Sequence, residues 1–295
     1  MTERIFEVIP RERIIFDEPL KKHTTFRVGG PAKIFALPEN AGEIISLVDY
    51  AKTEGIPFFV MGNGSNLLVS DNGYDGLIIK IGDNQSSITV EDEHINAEAG
   101  AKLSKISAEA IRASLSGFEH LGGIPGTLGG GVYMNAGAYG SEIKDVCERV
   151  TYLKDGEIHT VDGKKCNFSY RHSIFTDSDS VILSALLKLT SGNYDEIKKE
   201  TEITNQKRRD KQPLEYPSAG STFKRPEGHF AAQLIEECGL KGYTVGGAKV
   251  SEKHSGFVIN TGNASASDIM AVISYVRETV ERKTGVLLEP EVKIL

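Results

Sequence analysis

HLGGIPGTLGGGVYMNAGAYG, His120 to Gly140, holds eight glycines in 21 positions, against 31 in the 295 residues of the chain. From His120 to Ser141 there is no Lys, Arg, Asp or Glu. Glycine loses the most backbone freedom on folding, so such a run destabilises unless bare backbone is needed. A diphosphate buried among N–H donors needs it: the chain must approach closely, and no carboxylate can stand nearby. The competing explanation is a set of tight turns in a loop-rich domain.

A second stretch raises the same question. MGNGSNLLVSDNG, Met61 to Gly73, follows the apolar run IPFFV. Consecutive N–H groups of its turn can converge on phosphate as a nest, and Ser65 adds a hydroxyl. Two such loops in one half of the chain point to a nucleotide or dinucleotide. The candidate cofactor contacts in this loop are Asn63, Gly64, Ser65, Asn66 and Leu67. Those in the glycine stretch are Gly123, Gly126, Thr127 and Gly130, then Asn135, Ala136 and Gly137. The dinucleotide fingerprint G-x-G-x-x-G is absent, because GNGSNL has leucine at the third glycine position. A bound dinucleotide would not use a Rossmann unit.

Other chemistries have no sequence support. There is no G-x-x-x-x-G-K before Ser or Thr, no H-E-x-x-H and no G-x-S-x-G. The seven histidines show no metal spacing, so no metal is expected. Cys147, Cys166 and Cys238 are scattered, which fits a reducing cytoplasm better than a disulfide framework. The charged start, MTERIFEVIPRERIIF, does not read as a signal peptide, and no run approaches a membrane span. A net charge of -7 argues against nucleic acid or anionic membrane as partner.

Periodicity gives an α+β chain. Ile44, Leu47, Val48 and Ala51 fall at helical spacing before Gly55. Residues 87–99 alternate as a hairpin, and 102–115 read as an amphipathic helix. Asp155-Gly156 between alternating runs signals a second hairpin, and VILSALLKL a strand. Residues 194–211 form a charged helix, and HFAAQLIEECGL a helix ended by Gly239. Ser265 and Asp268 make a capping box for a helix ending at Gly285. VLLEPEVKIL reads as a terminal strand. The expected domains are 1–190, split near 82, and 191–295.

The second half holds a looser constellation. Ser221 follows a glycine in YPSAGSTFKRP and precedes Lys224 and Arg225; Arg171 adjoins Tyr170 in SYRHSIF. Glu289 and Glu291 lie on one face of the terminal strand, where Pro290 suggests an edge. Singly, these read as a turn hydroxyl, surface charges and solvated carboxylates. Spacing alone does not bring them together.

GNGSNLLVSDNGYDG, GGIPGTLGGGVYMNAGAYG, YRHSIF, PSAGSTFKRP and LEPEVKIL occur in this order at fitting intervals. In them the chain closely resembles the UDP-N-acetylenolpyruvoylglucosamine reductases of peptidoglycan precursor synthesis, from about residue 20 to the C-terminus. The resemblance implies a two-part FAD-binding module of the vanillyl-alcohol-oxidase (PCMH) type and a C-terminal α+β substrate-binding domain. It implies noncovalent FAD, NADPH as hydride donor, and reduction of an enolpyruvyl ether of a UDP-sugar to UDP-N-acetylmuramate. Hydride would go from FAD to C3 and a proton from Ser221 to C2. Arg171, Ser221 and Glu291 match the family's catalytic positions, and Lys224 and Arg225 become candidates for substrate binding. TDSDSVIL after Phe175 is too short for the tyrosine-bearing insertion of the longer subtype. The implied enzyme is cytoplasmic, with no nucleic acid, membrane insertion or obligate protein partner. Two competitors remain: a flavin oxidase of the same superfamily, in which His120 would invite reading as a covalent flavin attachment, and a noncatalytic nucleotide-sugar sensor.

Overall fold

The computed structural model describes residues 4–295. The α+β class expected from periodicity is the one adopted: among the described residues, six α-helices lie among short and medium strands. The chain forms two compact units, each from three segments. The first takes residues 1–16, 34–63 and 76–207, and the second 17–33, 64–75 and 208–295. Along the chain these two units interleave.

In the first unit, helix α1 (Ala41–Thr53) starts where the Asn40 side chain accepts from the Glu43 N–H, and it buries Ile44, Leu47, Val48 and Ala51. Strands Phe58–Met61 and Tyr74–Lys80 run parallel, with Met61 opposite Lys80. They belong to a four-stranded sheet in the order Ile14–Pro19, Pro31–Ala36, Tyr74–Lys80, Phe58–Met61. A five-stranded antiparallel sheet has the order Glu157–Asp162, Cys147–Lys154, Val181–Lys188, His94–Glu98, Ile88–Glu91. Both expected hairpins are in it. Asp155 and Gly156 take φ of 51° and 80°, the left-handed pair that a two-residue turn matching strand twist requires. Helix α2 (Leu103–Arg112) is shorter than expected because Ala113 and Ser114 turn the chain into the strand Leu115–Ser116.

The glycine stretch departs from expectation. It contains a helix, α3 (Leu128–Tyr133), built on three consecutive glycines. Propensity disfavours it, and packing overrides that. A Cβ on Gly129 would stand 2.9 Å from Ala99 Cβ, and Leu128 and Gly129 donate to Ala101 O and Ala99 O, each at 2.8 Å.

Helix α4 (Tyr194–Lys211) has the expected bounds. The second unit buries a core of Phe26, Phe223, Leu234, Ile235, Val258, Ile269, Ile273 and Val276, among others. Its helices are α5 (Ala231–Glu237) and α6 (Ala266–Thr284), the latter with the Ser265/Asp268 capping box and a left-handed Gly285. Beside them is an antiparallel sheet of Thr244–Val245, Ala248–Val250 and Val258–Asn260. The expected terminal strand shrinks to Lys293–Ile294, parallel to Leu67–Leu68. No helix among the described residues is long and apolar enough to cross a membrane.

Candidate functional site

The first glycine loop leaves the C-terminal end of strand Phe58–Met61. Among the described residues, nothing accepts from the N–H groups of Asn63, Gly64 or Ser65. Thr25 donates its N–H to Gly64 O at 3.3 Å, while its own buried Oγ1 has no hydrogen-bond partner. A buried hydroxyl with no protein partner is a place where an ordered water, an ion or a ligand can bind. Nothing in the sequence singled out Thr25; only the pairing with Gly64 reveals it.

Within the first unit the two glycine loops meet. A Cβ on Gly62 would overlap Oγ1 of the buried Thr127. The N–H groups of Gly123, Gly126, Thr127 and Gly130 have no acceptor among the described residues, in contrast to those of Leu128 and Gly129. Within this unit, unpaired N–H donors and a contact that admits no side chain at Gly62 fit a diphosphate-bearing cofactor. Asn135 differs from its neighbours. It is fully buried at φ 44°, and both ends of its amide are bonded to protein. Ala136 donates to Gly131 O, and Gly137 is edge-paired with Glu142. Glu142, the first carboxylate after the stretch, is neutralised by Lys144 at 2.5 Å.

Arg171 is placed by the same loop. Its Nη2 donates to Gly137 O at 3.2 Å, and its guanidinium carbon stands 4.9 Å from the Tyr170 ring centre. It lies in a turn closed by reciprocal bonds between Ser169 and His172, with φ 57°. A non-glycine residue held there is strained and must be over-determined by its surroundings. Only residues 176–180 separate Phe175 from the strand Val181–Lys188.

The second unit brings Ser221 and Glu291 together, which spacing did not. Lys224 donates its N–H to Glu289 O, and Glu291 donates its own to Thr222 O, both at 2.8 Å. Between them Phe223 faces Pro290. Pro290 therefore occupies a position where no N–H is needed. Ser221 projects beside this ladder, exposed and with no hydrogen-bond partner among the described residues. Beneath it Thr222 is fully buried and accepts from the Val258 N–H at 3.0 Å. Asn66 joins the group: its Nδ2 donates to Glu291 O at 3.0 Å and its carbonyl accepts from Lys293. The Lys224 ammonium pairs with Glu289 at 3.3 Å, and the Arg225 guanidinium stacks 4.0 Å from the Phe230 ring centre.

Other candidate chemistry is absent or already engaged. The His120 ring nitrogen Nδ1 bonds Thr204 Oγ1 at 2.8 Å, a structural contact. Burial pushes the Cys147 thiol up to about 12 and Cys166 to about 11, so neither is a thiolate near neutrality. Among the described residues no group of His, Cys, Asp and Glu could hold a metal ion.

Comparison with known proteins completes the picture. Residues 32–162 match the FAD binding domain family, and residues 212–295 the C-terminal domain of UDP-N-acetylenolpyruvoylglucosamine reductase. A reductase of that name from Caldanaerobacter subterraneus is 50% identical over 296 residues, covering 100% of this chain and 98% of its own. One from Clostridioides difficile is 47% identical over 292 residues, covering 99% and 96%. The crystal structure of the Thermus caldophilus reductase superposes with a TM-score of 0.81 at 35% identity, over 95% of this chain and 97% of that one. Alkyldihydroxyacetonephosphate synthase, 15% identical with a TM-score of 0.50 over 65% of this chain and 41% of that one, shares the fold alone.

Proposed function

The chain belongs to the UDP-N-acetylenolpyruvoylglucosamine reductase family, and on that premise we propose that it reduces UDP-N-acetylglucosamine enolpyruvate to UDP-N-acetylmuramate. It is an FAD-dependent oxidoreductase of peptidoglycan precursor synthesis, with NADPH as reductant and a cytoplasmic location. In functional terms residues 1–190 bind the flavin, and 191–295 bind the UDP-sugar. The observation that carries the reading is full-length identity of 50% together with Arg171, Ser221 and Glu291 at the matching motif positions.

FAD, when bound, would supply the hydride for C3 of the enolpyruvyl group, with NADPH as its source. The loops Asn63–Leu67 and Gly123–Gly130 would hold its diphosphate through backbone N–H groups, and Thr25 Oγ1, beside Gly64, would be a further donor. Charge then builds at C2 of the substrate and spreads into its carboxylate. A fixed cation at that carboxylate acts more strongly on the developing charge than on the ground state, which lowers the barrier. Arg171 is that cation, and its planar fork suits a carboxylate. Ser221 gives C2 its proton: a hydroxyl is a weak acid, but the carbanionic carbon is a strong base. Its lack of a protein partner supports this role, since no hydrogen bond holds the proton elsewhere. Glu291 either donates to the carboxylate in its protonated form or orients a neighbouring group. Lys224 and Arg225 ease the transient alkoxide.

The test is a spectrum. Purified protein shows bound flavin, anaerobic NADPH bleaches it, and the enolpyruvyl substrate restores it. Flavin that substrate fails to reoxidise refutes the reading. Colour remaining on acid-precipitated protein would favour a covalent-flavin oxidase instead.

A further inference from the structure

We propose that Asn135 is a positioning residue for Arg171, acting through protein hydrogen bonds rather than by touching cofactor. The proposal rests on the role given to Arg171 above. The Asn135 side chain is completely buried and uses every hydrogen-bonding group it has. Its Nδ2 donates to Ser169 O at 3.0 Å and to Glu142 Oε2 at 3.1 Å, and its Oδ1 accepts from the Lys144 N–H at 3.0 Å. The opposite amide orientation would set oxygen against two acceptors and NH2 against a donor, so the network fixes the assignment.

Those partners frame Arg171. Ser169 opens the turn in which Ser169 and His172 exchange backbone bonds of 3.1 and 3.2 Å, with left-handed Arg171 inside it. Two residues after Asn135, Gly137 O receives the guanidinium of Arg171. One buried amide therefore fixes both the backbone that carries Arg171 and the segment whose carbonyl aims its charged end. A separate set of bonds docks the rest of this stretch. Ser173 Oγ and Thr176 Oγ1 donate to Tyr133 O at 2.6 and 3.0 Å, and Tyr133 OH donates to Thr176 O at 3.0 Å. These remain when the Asn135 bonds are cut, so the turn stays docked and loses its aim.

The experiment uses the full chain with Asn135→Asp and Asn135→Gly, each alone and combined with Arg171→Ala. Asp keeps size, tolerance of positive φ and the acceptor for Lys144, but replaces the donor with a carboxylate facing Glu142 and Ser169 O. Gly keeps the backbone conformation and removes all three bonds, so either variant carries the test if the other fails to fold. Stopped-flow measures flavin reduction by NADPH and reoxidation by the enolpyruvyl substrate separately. Amide exchange at residues 169–172 is followed in flavin-free protein. We expect reoxidation about 10²-fold slower in each single variant, the size of loss that a ~1 Å misplacement of a positioned group produces. We expect no further loss when either is added to Arg171→Ala, and faster exchange of the Ser169 and His172 amides. The same fold-loss in the Arg171→Ala background, or unchanged single-variant rates, overturns the proposal. Normal reoxidation by Arg171→Ala alone removes the role of Arg171, and this proposal with it. That outcome is distinct from independent effects of the two residues.

Discussion

Gly62→Ala tests the meeting of the two glycine loops with a single methyl group. The added Cβ would overlap Thr127 Oγ1 and come within 3.3 Å of Thr127 Cβ and Cγ2. Thr127 has little room to yield. It is 4% exposed, bridges to Lys102, and is followed by Leu128 bonded to Ala101 O at 2.8 Å. Overpacking of a tight contact costs about 1–3 kcal/mol. Because both loops are assigned to the diphosphate, displacing one against the other appears as weaker cofactor binding, a Kd about 5- to 150-fold higher. The assay strips flavin from the full-length protein and titrates FAD back by fluorescence. Adding Thr127→Ala to Gly62→Ala removes the overlapping oxygen and should recover most of the affinity. Unchanged FAD affinity in folded Gly62→Ala refutes the argument. So does a loss that Thr127→Ala leaves untouched, since the cause would then not be this contact.

Three further outcomes follow from other contacts. Asp71 caps α6, accepting from the Ala266 and Ser267 N–H groups at 2.7 and 2.9 Å and the Ser267 hydroxyl at 2.7 Å. Burial raises its carboxyl pKa, but these bonds together outweigh it and hold the group below its ordinary value. The folded pKa is thus depressed, so the stabilisation is complete above the unfolded value of about 3.9 and fades as pH falls through the folded one. Asp71→Asn should cost about 1 kcal/mol near neutrality, because one accepting oxygen becomes an NH2 facing an N–H donor, in a solvent-screened position. Urea unfolding should show the gap to wild type closing in acid, and a pH-independent gap refutes this. Asn260 is buried, donates to Phe26 O at 2.9 Å, and accepts from Gly262 and Ala264 N–H at 2.8 and 3.1 Å. Asn260→Ala should destabilise by about 3 kcal/mol, and a calorimetric midpoint lowered by less than about 2 °C would contradict it. Ser221→Ala should leave flavin reduction by NADPH intact and slow reoxidation by substrate about 10²- to 10⁴-fold; a normal second half-reaction removes Ser221 as proton donor.

Features readable from the sequence were those whose cause lies within a turn or two of chain. Ser265 and Asp268 bond each other's backbone at the start of α6, and Gly285 ends it in the left-handed region. Asp155 and Gly156 adopt the turn their residue types prefer. The two glycine loops were visible because a backbone that must approach something closely excludes side chains. Other features have partners far along the chain. The helix on Gly129–Gly131 exists because Ala99 and Ala101 supply acceptors and a packing surface. The final strand is defined by distant partners: Lys293 and Ile294 pair with Leu67 and Leu68, and Leu295 donates to Leu68 O at 2.9 Å. Thr25 passed unnoticed because its orphan hydroxyl is defined by what surrounds it.

The candidate site divides the same way. Sequence alone pointed two glycine-rich loops toward an anionic ligand, and showed which Arg, Ser and Glu stand in the five ordered motifs. Composition and local order are enough for that, because glycine content and motif spacing are written along one dimension. Only the tertiary structure decided that the segments of Ser221 and Glu291 share one backbone ladder around Pro290, and that the Asn135 amide bonds the turn that carries Arg171. A buried amide has the same sequence signature whether it meets a cofactor or a carbonyl 34 residues away. Its role is settled by which acceptor the fold brings within hydrogen-bonding distance.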